Sequence, residues 1–140
     1  MTIQDCIKFT NENPICYLAT VEGDQPHVRA LGFWFADETG FYFQTGASKE
    51  FYHQLKNNPK TEVCFYKNDK MNGSMLRIAG KVEFLNDSKL KEKVLEDRPF
   101  IKNFGFTAQS PDLIIFRIPH GQAHFWMMDN NFKPKQIIEF

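Results

Sequence analysis

Residues 45–49 read Thr-Gly-Ala-Ser-Lys: two hydroxyls, two small residues and one ammonium. They stand where an apolar alternating run, "FYFQT", gives way to a helix-like run, "SKEFYHQLKNNP". A helix N-terminus presents unpaired N–H groups and a partial positive charge, which suits an anion. Thr45 and Ser48 would add hydroxyl donors and Lys49 a full charge, while Gly46 and Ala47 would keep the backbone accessible. The chemistry is that of a phosphate clamp. It is not a Walker loop, since G-x-x-x-x-G-K-[ST] is absent. The plain alternative leaves Ser48 as a helix cap and Lys49 as a solvated side chain, and the joint alone does not choose between them.

Arg29 poses a second question. In "HVRALGFWF", strand periodicity puts it on one face with Leu31, Phe33 and Phe35. A guanidinium on an apolar face is costly unless something anionic or π-rich meets it. A ligand or a partner subunit would do so; the alternative is an arginine snorkelling out of a barrel end. The four histidines, His27, His53, His120 and His124, are the candidates for a metal ligand. His120 and His124 are four apart, but Pro119 and Gly121 argue against a helix, and a strand would hold them too far apart for joint ligation. No metal site is read. The three cysteines, Cys6, Cys16 and Cys64, are odd in number, form no C-x-x-C and sit in apolar periodic segments, so they read as buried thiols in a reducing compartment.

These residues must be positioned by mostly extended elements. Thr2 caps a short helix, with Asp5 at the capping-box position and Ile3, Cys6 and Ile7 as its stripe. Strands are expected over 15–21, 27–35, 41–45, 61–67 and 74–85, the last bent at Gly80. A hairpin of 112–118 and 122–129 closes the list. Ser48 is expected to cap a helix that stops at Asn58-Pro59. Asn86-Asp87-Ser88 opens another helix through about Asp97, with Lys89, Lys91, Glu92 and Lys93 on its wet face. Residues 98–111 are irregular or partly helical, and their Phe100, Phe104 and Phe106 form a lid or the outer wall of a pocket, or else pack against the barrel. The expected fold is mainly β: a six- to seven-stranded antiparallel barrel with a few flanking helices.

The chain of 140 residues suits one domain over 1–140. Its 17 basic and 17 acidic residues cancel, which argues against a nucleic-acid binder. No apolar run is long enough to span a membrane, and the N-terminus lacks the pattern of a secretory leader. A cytoplasmic protein is expected. Fifteen phenylalanines suit either a Phe-rich core or a flat ligand and a sizeable interface.

The ordered segments "ATVEGDQPHVRAL", "GFYFQTGASK", "NNPKTEVCFY", "RIAGKVEFLND" and "HFW" resemble the pyridoxamine 5'-phosphate oxidase-like family of FMN-binding split barrels. No single motif is specific; their order and spacing over residues 13–127 carry the resemblance. It implies that Arg29 reaches the isoalloxazine ring, that Ala30 and Leu31 lay backbone against it, that Gln44 and Thr45 contact the flavin and its ribityl chain, and that Ser48 and Lys49 hold the phosphate. It also implies a homodimer with the flavin at its interface, where Trp126 would cover the partner's ring or simply pack.

The chain departs from the true oxidases at Trp34, where they carry Lys, at Met75, where they carry Gln, and in "MMDNNFKPKQIIEF", which lacks their Arg and His set. The resemblance therefore points to small flavin reductases, including the nitroimidazole-resistance group, or general-stress flavoproteins. The implied activity is electron transfer from a reduced nicotinamide through FMN to a small acceptor such as a nitro compound or quinone. No acid–base residue stands out, and without G-x-G-x-x-G no Rossmann site is expected. Binding of flavin, haem or deazaflavin without turnover, and a ligand-free structural dimer, are the alternatives.

Overall fold

The computed structural model describes residues 1–140. Helix α1 (Ile3–Glu12) begins with the reciprocal cap expected of Thr2 and Asp5. The Asp5 amide donates to Thr2 Oγ1 at 3.3 Å, and the Thr2 amide donates to the Asp5 carboxylate at 2.6 Å. Cys6 and Thr10 turn inward, while Ile3, Ile7 and Phe9 pack against the core margin.

Strands β1 (Ile15–Glu22), β2 (Gln25–Gly32), β3 (Phe35–Asp37) and β4 (Gly40–Gly46) follow, then helix α2 (Glu50–Asn57) and strand β5 (Lys60–Lys67). Next come β6 (Ser74–Lys81), β7 (Glu83–Leu85), helix α3 (Ser88–Asp97) and a 3₁₀ helix over Pro99–Phe104. Strands β8 (Leu113–Ile118), β9 (Gly121–Met127) and β10 (Ile138–Glu139) complete the chain, with a 3₁₀ turn over Met128–Asn130. One sheet runs β10-β9-β6-β5-β1-β2 and the other β3-β4-β8-β7, with every pairing antiparallel. This is the split barrel expected. The two sheets close on a core in which Leu18, Val63, Phe65, Leu76 and Ile78 face Phe41, Phe43 and Phe116.

The strand count rises to ten because two expected strands each change sheet midway and β10 adds a short edge. The run 27–35 breaks after Gly32: Phe33 drops into the core, and Phe35 opens β3 in the other sheet. Phe35 therefore does not share Arg29's face. The run 74–85 breaks at buried Val82, two residues beyond the expected bend at Gly80. The expected hairpin of 112–118 and 122–129 is not formed. β8 pairs with β4 and β7, while β9 pairs with β6 and β10, so the turn at 119–120 is a corner between sheets. Glycines permit the close approach there: a Cβ on Gly80 would stand 2.5 Å from the His120 carbonyl oxygen, and one on Gly121 would collide with that of Ala79.

Two helix expectations are also corrected. Lys49, not Ser48, occupies the N-cap of α2, and no side chain caps that helix. Lys91 is not on the wet face of α3. It is only 6% exposed, and its ammonium donates to the Ser110 carbonyl at 2.9 Å. Its neighbours at i+3 and i+4, Val94 and Leu95, are core residues, so the helical period carries Lys91 to the buried side. Asp87 caps α3 by accepting from the Lys89 and Leu90 amides. Cys6 and Cys16 are buried as expected; Cys64 is half-buried. Burial pushes the Cys6 thiol up to about 11 and the Cys16 thiol up to about 12.

Candidate functional site

Strand β4 carries Gln44, Thr45 and Gly46 to the margin of the four-stranded sheet, and the chain turns there into α2. The Ala47 amide donates to the Asp112 carbonyl at 2.9 Å, which ties this joint to the segment before β8. Beside it lies the free edge of the six-stranded sheet, β2, with Arg29, Ala30 and Leu31. Between them opens a cleft of about 790 Å³, within the range of small-molecule and cofactor sites.

Arg29, Ala30, Leu31, Gln44, Thr45, Ser48 and Lys49 all line this cleft. Trp126 does not. It sits on β9, its indole N–H donating to Asn131 Oδ1 at 2.8 Å, and pairs in register with Met75. The first residues of α2, Glu50 and Phe51, complete the joint. With Lys49 at the N-cap, the first amides of α2 have no intrahelical acceptor. Ser48 and Lys49 are exposed, whereas Thr45 is buried.

The Arg29 guanidinium turns inward, over β1 and against α2. It donates to the Leu18 carbonyl at 3.2 Å, to Thr20 Oγ1 at 2.8 Å and to Gln54 Oε1 at 3.0 Å. The Phe51 ring flanks it at 5.3 Å, the π-rich partner that an arginine on an apolar face requires. Burial lowers its pKa, and the charge of Glu50 works against that shift. Three of its five N–H groups are used within the chain, which leaves two for a ligand. Both of its helical contacts, Phe51 and Gln54, lie in the first turns of α2. Arg29 therefore lines the cleft together with Lys49, beside the start of α2.

The opposite wall comes from the segment whose Phe100, Phe104 and Phe106 the sequence offered as a lid or wall, joined by Arg98 and Ile101, which it did not single out. Arg98, Phe100, Ile101, Phe104 and Phe106 line the cleft from the 3₁₀ helix and the residues flanking it. Phe100 and Phe104 are 48% and 73% exposed, while Ile101 and Phe106 join a second core cluster, so the segment both borders the cleft and packs against the barrel. Arg98 donates to the Gly32 carbonyl at 3.2 Å and stacks over Phe100 at 5.2 Å. It also borders a second, smaller cavity with Pro14, Ile15, Trp34 and Asp97. Asp97 accepts from the Trp34 indole at 2.9 Å and from Lys93 at 2.6 Å, and these bonds hold its carboxyl below the usual value. The chain has no group of three or more His, Cys, Asp or Glu placed to hold a metal ion.

The outer face of the six-stranded sheet exposes an apolar patch beside the Arg77–Glu62 ion pair. Its alternate positions include Ile15, Tyr17, Val28 and Tyr66, which are 65%, 46%, 69% and 48% exposed, together with Met75 and Trp126. No helix is long and apolar enough to cross a membrane.

A family model described as pyridoxamine 5'-phosphate oxidase matches residues 3–126. Among curated proteins, none matches the chain by sequence. Among solved structures, a NimC/NimA family protein from Clostridium acetobutylicum superposes with a TM-score of 0.82 at 27% identity, covering 98% of this chain and 92% of that one. General Stress Protein 26 from Bacillus anthracis gives 0.76 at 19% identity and covers both chains fully, at 100% each. An FAD-binding protein from Mesorhizobium loti gives 0.71 at 21% identity, covering 91% of this chain and 95% of that one.

Proposed function

The chain belongs to the pyridoxamine 5'-phosphate oxidase family, and from that premise we propose that it is an FMN-dependent oxidoreductase. It passes electrons from a reduced nicotinamide to a small acceptor such as a nitro compound or quinone. The observation that carries this reading is the joint itself: Ser48, Lys49 and the Arg29 guanidinium meet at the start of α2, in one cleft. Two cations, a hydroxyl and open helix amides are the donor set a phosphate monoester needs. The FAD-binding relative supports a flavin as the ligand.

In this reading Lys49 and Ser48 hold the phosphate, with Arg29 beside them rather than at the ring. Gln44 and Thr45 meet the ribityl chain. The backbone of Ala30 and Leu31, on the free edge of β2, supports the isoalloxazine. The flavin, when bound, supplies two-electron redox chemistry, while the protein binds, orients and screens it. The aromatic wall of Phe100, Phe104 and Phe106 keeps water from the ring and offers flat acceptors a surface. Trp34, Met75 and the C-terminal tail weigh against pyridoxamine phosphate as the substrate.

The apolar outer sheet face is covered by a second copy of the chain, which would bring Trp126 into a shared interface. Stable interfaces bury about 1,200–2,000 Å², and a six-stranded sheet offers a face of that order. Three free thiols suit a reducing, cytoplasmic setting. The test is anaerobic mixing of the flavin-loaded protein with NADH or NADPH. Loss of the visible flavin absorbance, restored by a nitroaromatic or a quinone, is expected. An unchanged spectrum with both donors would remove the oxidoreductase reading.

A further inference from the structure

Arg29 is held only by oxygens that carry no charge. Two of the other arginines lie against carboxylates, Arg77 with Glu62 at 3.4 Å and Arg117 with Glu83 at 3.1 Å. Arg29 instead donates to the Leu18 carbonyl, to Thr20 Oγ1 and to Gln54 Oε1. Thr20 and Gln54 are 1% and 3% exposed, so neither is a surface residue that happens to be in reach.

The direction of each bond is fixed by chemistry. A guanidinium only donates, so the Thr20 hydroxyl accepts from it and sends its single proton to Gln54 Oε1, at 2.5 Å. Gln54 Oε1 therefore accepts from both Thr20 and Arg29. The flipped amide would set an NH₂ group against the guanidinium, which leaves one orientation. The result is a closed triangle of hydrogen bonds on the face of β1 and α2, with Phe51 stacked beside it. Such an arrangement fixes where the cation stands but does not neutralise it. A partly buried charge without an ion-paired carboxylate is costly; Glu50, at the cleft, acts on the guanidinium but forms no ion pair with it, and the triangle accounts for its position, not for that cost.

We propose that Thr20 and Gln54 are positioning residues that orient Arg29 through neutral oxygens alone, keeping its whole charge and its two remaining N–H groups for an anionic ligand group at the α2 joint. The proposal rests on the reading of this cleft as a flavin mononucleotide site, where that group is the phosphate. It assigns a role to two buried residues that do not themselves line the cleft. Gln54→Glu keeps the shape and supplies the missing carboxylate; Thr20→Val keeps the shape and removes the hydroxyl.

The experiment compares FMN with riboflavin, which lacks the phosphate, by fluorescence quenching at two salt concentrations. Gln54→Glu is expected to weaken FMN about tenfold or more and to flatten its salt dependence, with riboflavin affinity unchanged. Equal weakening of both ligands, or FMN bound as by the parent protein with the same salt dependence, would overturn the proposal and leave the flavin reading standing. Should Gln54→Glu not fold, as judged by circular dichroism, the pair Thr20→Val and Thr20→Ser decides. Selective loss of FMN affinity in the first and its recovery in the second supports the proposal; no difference between them overturns it. Should the parent protein bind neither flavin, the flavin reading falls, and inorganic phosphate takes over as the probe. Thermal stabilisation by phosphate that Gln54→Glu or Thr20→Val abolishes keeps the proposal; its absence, or its persistence in the variants, ends it.

Discussion

Asp97 shows how single side chains set the cleft's surroundings. Its carboxylate holds both the Trp34 indole and Lys93, and those bonds lower its pKa. A lowered folded-state pKa means that the contribution is present above the ordinary value of 3.8 and is lost as pH falls through the lower folded value. Trp34 fluorescence, read in a Trp126→Phe background, should therefore stay native to about pH 4 and change only below it. A transition centred above pH 4 would show that this carboxylate is not held as described. At this scale much of the site was legible. Thr45, Ser48 and Lys49 announced themselves as a polar cluster at a strand-to-helix joint, and Arg29 as a charge on an apolar face. What was not legible was Arg29's company. Thr20 and Gln54 are ordinary polar residues in a strand and a helix, and only the crossing of β1 by α2 brings them to the guanidinium.

The errors among strands share one physical cause. A strand that leaves one sheet for another keeps its alternating pattern, so 27–35 and 74–85 each read as continuous although each bends into the second sheet. Likewise, Pro119 to Gly121 carries every signal of a hairpin turn and is a corner instead. Lys91 differs for the opposite reason: its period puts it with Val94 and Leu95 in the core, whereas its charge alone suggests solvent. The corner gives a direct test. Gly121→Ala drives a Cβ into the Ala79 carbonyl of the neighbouring strand, and should cost about 1–3 kcal/mol of stability, read as a fall in the denaturant midpoint. Stability equal to the parent's would mean that the sheets do not approach so closely there.

At the scale of the whole molecule, a half-open barrel leaves one broad sheet face apolar and one edge, β2, free beside the cleft. A second copy on that face would shield Tyr17, Tyr66 and Val28 and bring two clefts to one interface. Tyr17→Glu should convert a dimer to a monomer in sedimentation and weaken FMN in parallel, because β2 would lose its support. A dimeric Tyr17→Glu variant with unchanged affinity would place the interface elsewhere, and a monomeric parent protein would remove the dimer altogether. The first measurement is simpler still: the visible spectrum of the protein as purified, followed by titration with FMN, for the parent and for Lys49→Ala. Flavin bands, or quenching that saturates at one FMN per chain and weakens about tenfold in the variant, is the expected result. A Soret band, no binding, or binding indifferent to Lys49 would contradict the claim that this cleft holds a flavin by its phosphate.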